Sequence, residues 1–342
     1  MASVAKKRMI SLNKYGNDIF VFAFLLLKFV KYYISPDSPP VLWFRLSALL
    51  AVLTVSAVLC GALIRKTGEA QKTSLTVLLA LFLASPASND ILMLDLWFRD
   101  GTIFQYCALI CAVASFFLIH RSKGKWLLPL LCFIGAALCP LFIFTLLPIP
   151  LVLAIDSIGH AADTKEKNEY KDLMASTLIA SAIAFLLFGA KKAFPGVDDF
   201  PALIAENAKQ TLVRAAMVLP LFAVFTALTK FIRAPGAARQ SRRTALVIAM
   251  LPLLSFAGLF TAFDLGASIV MASVFAQVCL WAFFLYSGRP AFCDAAARLE
   301  SFFTGNRFLL WLMLIWLAAF SGLGKIMLIG LTKSKSFFHI WQ

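Results

Sequence analysis

Long apolar runs, each closed by a short charged stretch, recur along nearly the whole chain. Runs of about 16–24 residues have the length a helix needs to cross roughly 30 Å of hydrocarbon. They predict spans near 19–34, 42–64, 73–88, 102–119, 126–140, 141–155, 173–190, 213–229, 244–263, 266–286 and 308–330. Barrel strands would instead alternate over about ten residues, and no such alternation occurs. The expected fold is all-α, a polytopic transmembrane helical bundle of about 11 spans, roughly 10–12 given the error on such boundaries. Residues 1–342 read as a single integral membrane domain: a basic N-terminus at 1–18, the bundle at 19–330 and a tail at 331–342. No soluble domain is expected, because the polar connections 156–172, 191–212 and 287–306 are too short to fold alone.

Residues 126–155 are apolar almost throughout but carry Pro129, Pro140, Pro148 and Pro150. One helix of that length would run about 45 Å, too long for a bilayer, and proline breaks helix interiors. Two short or re-entrant helices are expected there. The segment 287–306, with Phe292, Leu299, Phe302 and Phe303 among charges, predicts an interfacial amphipathic helix.

Charge sets the orientation. Lys6, Lys7, Arg8 and Lys14 place the N-terminus in the cytoplasm, and no small-residue cleavage site follows the first run. The loops then alternate: 35–41 with Asp37 outside, 65–72 with Arg65, Lys66 and Lys72 inside, 86–101 with Asp90, Asp95 and Asp100 outside, and 120–125 inside. Two passes over 126–155 put the basic loop of Lys230, Arg233, Arg239, Arg242 and Arg243 inside as well. The loop 156–172 is assigned inside despite five acids, since acids weigh little in the orientation rule. Loop style and the basic N-terminus point to a bacterial inner membrane.

Composition agrees with the pattern. Charged residues make up 14% of the chain, against about a quarter in a water-soluble domain, which must wet its surface. The net charge of +15 is spread over loops without a basic domain, so it fits inner-face bias and attraction to anionic lipid rather than nucleic acid. Six of the seven cysteines (Cys60, Cys107, Cys111, Cys132, Cys139, Cys279) lie in apolar runs and read as buried thiols; Cys293 lies in a connection. His120, His160 and His339 show no ligand spacing, and no metal site or cofactor motif is present.

The tetrapeptide Leu-Trp-Phe-Arg occurs at 42–45 and again at 96–99. In the predicted topology both copies face outward, placing Arg45 and Arg99 beside Asp37, Asp90, Asp95 and Asp100. Lys28 and Lys31, one helical turn apart in the outer half of the first span, adjoin them. Arginine forks match phosphate oxygens, and a nearby carboxylate can deprotonate an acceptor hydroxyl. The bland alternative is that Trp, Phe and Arg form an interfacial anchor, that the lysines snorkel, and that the acids cap helices. Asp198, Asp199 and Glu206 in the later outer connection carry the same two readings.

The run from Thr73 to Ile155 resembles the middle of polytopic glycosyltransferases of the GT-C type and related surface-polysaccharide polymerases. The resemblance is carried by Ala-Ser-Pro at 84–86, Leu-Trp-Phe-Arg-Asp-Gly at 96–101, the span closed by Arg121 and Leu-Leu-Pro-Ile-Pro at 146–150. It implies transfer of a sugar from a polyprenyl-phosphate-linked donor, with Asp95 or Asp100 as the acidic site residue and Arg99 as phosphate partner. It covers about a quarter of the chain, and this chain lacks the long first outer loop and large C-terminal domain of such enzymes. Two other functions stay open: a transporter or lipid/oligosaccharide flippase, and a non-catalytic membrane subunit.

Overall fold

A computed structural model describes residues 69–88, 103–119, 121, 124–139, 142–190, 200–232, 239–254 and 266–321. Among these residues the protein is all-helical, with twelve α-helices, two 3-10 helices and no strand. In chain order they are α1 (Glu69–Ala84), α2 (Ile103–Leu118), α3 (Leu128–Leu138), α4 (Phe142–Thr145), α5 (Pro148–His160) and α6 (Thr164–Phe188). Then follow α7 (Phe200–Met217), α8 (Leu219–Ile232), α9 (Arg239–Met250), α10 (Gly266–Tyr286), α11 (Pro290–Gly305) and α12 (Arg307–Phe320). Two compact units divide the chain, Leu94–Ala295 and the pair Met1–Met93 with Ala296–Gln342.

In the larger unit the prolines break the chain as expected, but into three helices, α3, α4 and α5, where two were expected. A 3-10 turn at Lys125–Leu127 leads into α3, whose second residue is Pro129, where a missing N–H costs nothing. The helix stops at Cys139, since the residue before Pro140 is pushed out of the helical region; its φ of −134° and ψ of 102° are extended. After the single turn of α4, Pro148 opens α5. The break is sealed by close packing: a Cβ on Gly135 would lie 2.6 Å from the fully buried Phe142 ring.

Helix α6 is the one described helix long and apolar enough by itself to cross a membrane. Its N-cap Asp163 accepts from the Glu166 amide at 2.6 Å, and the Glu166 carboxylate accepts from the Ala162 amide at 2.8 Å. This satisfies donors that a helix start leaves open. Asp163→Ala is expected to cost about 1 kcal/mol, read as a lower midpoint of thermal unfolding in detergent. The buried stripe of α6 is Tyr170, Leu173, Thr177, Ser181 and Ala184, at spacings of three and four. Leu178, Ile179, Ile183, Leu186, Leu187 and Phe188 point outward. A helix with small and polar residues inside and large apolar ones outside is inverted relative to a soluble protein. At 25 residues it is about 37 Å long, enough to cross a bilayer.

Two expectations about connections are corrected. The predicted inner loop 156–172 is helical except at 161–163: α5 runs on to His160, and the Asp163 cap starts α6 nine residues before the apolar run. The predicted outer connection 191–212 is helical from Phe200, so Glu206 lies on α7, while Asp198 and Asp199 lie outside the described residues. The span expected at 213–229 is two helices, α7 and α8, meeting at 70° near Pro220. By length and composition α6 alone qualifies as a complete span among the described residues, with up to two more if α7–α8 and α10–α11 each count as one.

The expected amphipathic segment 287–306 is α11, set at 108° to α10. Gly288, at φ 67°, makes that corner. Its amide donates to the Leu285 carbonyl and the Arg289 amide to that of Phe284, the paired bonds of a Schellman cap. Phe292 then packs on Trp281 and Phe284.

In the smaller unit, α1 lies against α12. The Ser74 hydroxyl of α1 donates to the Ala296 carbonyl at 2.8 Å. The outward residues of α12, Phe308, Trp311, Leu312, Ile315 and Trp316, repeat the apolar surface of α6.

Candidate functional site

All eight residues singled out as site candidates (Lys28, Lys31, Asp37, Arg45, Asp90, Asp95, Arg99 and Asp100) lie outside the described residues. The described structure instead brings together polar groups at one end of the larger unit. The end of α5, the start of α6, the start of α9 and the end of α10 meet there, as their side-chain bonds show.

Asp156 is the centre. It sits in the last turns of α5 and is 2% exposed. Arg289 Nη2 donates to its Oδ2 at 2.9 Å, and Thr244 Oγ1 of α9 donates to its Oδ1 at 3.2 Å. His160 Nδ1 lies 2.9 Å from the Asp156 carbonyl and 3.4 Å from Oδ1. Beside it, Gln240 Nε2 of α9 donates to the Ile155 carbonyl at 2.8 Å. Gly159 is what lets α9 approach: a Cβ there would lie 1.8 Å from Gln240 Cδ.

A second cluster flanks the first. Lys125, 8% exposed, pairs with Glu169 of α6 and lies 5.1 Å from the Tyr170 ring centroid. Ser157, the neighbour of Asp156, is buried and donates to the Leu153 carbonyl at 2.9 Å. A buried carboxylate and a buried ammonium are thus each paired, as burial of charge requires.

The chemistry of this arrangement is that of a clasp. Both Asp156 oxygens are engaged, one by the Thr244 hydroxyl and one by the Arg289 guanidinium, so the arrangement ties α5 to α9 and to the turn after α10. Among the described residues no group of three or more His, Cys, Asp or Glu side chains is placed to hold a metal ion. Of the cysteines expected to be buried, Cys111, Cys132 and Cys139 are, whereas Cys279 is half-buried.

Sequence reading placed Asp156 in a loop and did not pair it with Arg289, 133 residues away. The available signal was that Asp156 directly abuts an apolar run and Arg289 follows one by three residues, where a charge needs a partner. Comparison with family models, with curated proteins and with solved structures finds no match. What the described residues define is an all-helical fold with one helix long and apolar enough to cross a membrane, or up to three if each bent pair is one span.

Proposed function

We propose that this chain is a multi-pass inner-membrane protein of about eleven spans, with a cytoplasmic N-terminus and no soluble domain. The observation that carries this is the inverted surface of α6, apolar outward beyond the charged stretch 164–172. Among the described cations, Arg121, Lys125, Lys230, Arg239, Arg242, Arg243 and Arg289 lie at helix ends that the loop alternation puts inside, while Lys209 and Arg214 of α7 lie on the side it puts outside.

Within that frame, the activity is transfer or polymerisation of sugars from a polyprenyl-phosphate-linked donor at the outer face. Its support is the Leu-Trp-Phe-Arg-Asp sequence at 96–100 and the resemblance of 73–155 to GT-C-type enzymes. Arg99 and Arg45 hold the phosphate, Lys28 and Lys31 add charge, and Asp95 or Asp100 takes the proton of the acceptor hydroxyl; Asp37 and Asp90 line the same face. Asp95→Asn, Asp100→Asn and Arg99→Ala are each expected to abolish a cell-surface glycan at unchanged protein level. Intact glycan in all three variants would remove this reading.

One observation favours a second reading, a transporter or flippase. The segment α3–α4–α5 is a helix broken at two prolines, and broken helices serve in transporters as substrate sites. Lipid-linked sugar flux in proteoliposomes that survives all three substitutions would select it. Indifference of glycan and flux alike, with a partner protein copurifying, would select a non-catalytic subunit.

A further inference from the structure

The first turn of α9 sorts its residues by chemistry. Gln240 and Thr244 turn inward to the α5 backbone and to Asp156, and Ser241 is buried with them. Arg239, Arg242 and Arg243 are exposed, and no acid shares that turn. Lys230, also exposed, lies in the last turn of α8, which packs against α9. Three exposed arginines on α9 and one exposed lysine on the helix packed against it thus lie on neighbouring elements. Three of them stand at the positive end of a helix dipole, where a cation is disfavoured and an anion welcome.

The same outward face changes character along the helix. Met250, two turns beyond Arg243, is 47% exposed, and Leu253 of the following 3-10 turn is 53% exposed. A rise of 1.5 Å per residue puts Met250 about 10 Å from the guanidiniums. Cations grading into exposed apolar side chains over that distance match a phosphate headgroup grading into an acyl chain. A soluble phosphate would use only the cationic half.

We propose that this face of α8 and α9 binds an anionic phospholipid, its phosphate held by Arg239, Arg242, Arg243 and Lys230 and its chain lying along Met250 and Leu253. The guanidinium fork suits phosphate oxygens, and the inner leaflet supplies the lipid. Because α9 carries the arginines outside and the Gln240 and Thr244 bonds inside, the bound lipid strengthens the docking of α9 on α5. The inference rests on the membrane reading above.

The test uses the full chain in phosphatidylcholine vesicles, with and without phosphatidylglycerol, and follows the midpoint of thermal unfolding. Phosphatidylglycerol is expected to raise the midpoint. Arg239→Gln, Arg242→Gln and Arg243→Gln together are expected to remove most of that rise. Lys165→Gln, Lys167→Gln and Lys171→Gln on α6, an equal loss of charge at the same end, are expected to keep it. Should the arginine triple not fold, Arg243→Gln alone is expected to lose part of the rise. An equal rise in the arginine variants, or equal loss in the α6 control, overturns the site. A matching rise with inorganic phosphate in phosphatidylcholine overturns the lipid as occupant. A chain that does not enter vesicles at all overturns the membrane reading, whereas a reconstituted but lipid-indifferent chain overturns this inference alone.

Discussion

Arg289→Met is expected to destabilise the larger unit by about 3 kcal/mol, because it strands a buried charge. Asp156 is 2% exposed, so its carboxylate cannot recover in water what it loses when the guanidinium goes. The Thr244 hydroxyl, which donates to the other oxygen beside His160, is neutral and cannot balance the charge by itself. The side chain of Arg289 is 28% exposed, so some water reaches the vacated position and the loss falls at the low end for a buried pair. Removing the acid instead should cost less, since Arg289 can turn toward solvent. The double variant Asp156→Leu with Arg289→Met is expected to recover most of the loss, as apolar replacements of buried pairs commonly do. Thermal unfolding of the four proteins in one detergent measures the cycle. Additive losses would show that the two side chains do not act as a pair.

Gly135→Ala is expected to cost about 1–3 kcal/mol through overpacking. The added methyl would lie 2.6–2.9 Å from three atoms of the Phe142 ring. That ring is fully buried, and a buried aromatic has nowhere to turn. Phe142→Leu should restore most of the stability of Gly135→Ala while destabilising the parent chain. Such a reversal of sign would show that α3 and α4 are closed by this contact. Losses of equal size in both backgrounds would place the strain elsewhere.

Helix positions were legible wherever apolar length alone decides them. The spans at 102–119 and 266–286 match α2 and α10, and the prolines of 126–155 announced the breaks around α4. The apolar residues Phe292, Leu299, Phe302 and Phe303 announced α11; Phe292, Leu299 and Phe303 are buried, while Phe302 is exposed. The stretch 156–172 was misread because charge density was taken as loop composition. Yet Asp163 followed three residues later by Glu166 is a helix-start signature, and the cap they form is what extends α6. The Asp156–Arg289 pair was not legible in any local pattern, since 133 residues separate its members and no period links them. The start of α7 at Phe200 was hidden for a similar reason. Its first turns hold Glu206, Asn207 and Lys209, which hydropathy scores as a loop, while Asn207 is buried at 1% exposure. The outer-face residues proposed for phosphate and acceptor lie outside the described structure, so their convergence depends on topology.

That topology is open to a direct measurement. Single cysteines at Ser38, Leu94 and Lys167, in a Cys293→Ser background, can be challenged with a membrane-impermeant maleimide before and after permeabilisation of the cell. The account predicts that positions 38 and 94 react in intact cells, and that position 167 reacts only once the membrane is opened. Positions 38 and 94 reacting from opposite sides would separate the two arginine sequences and contradict it.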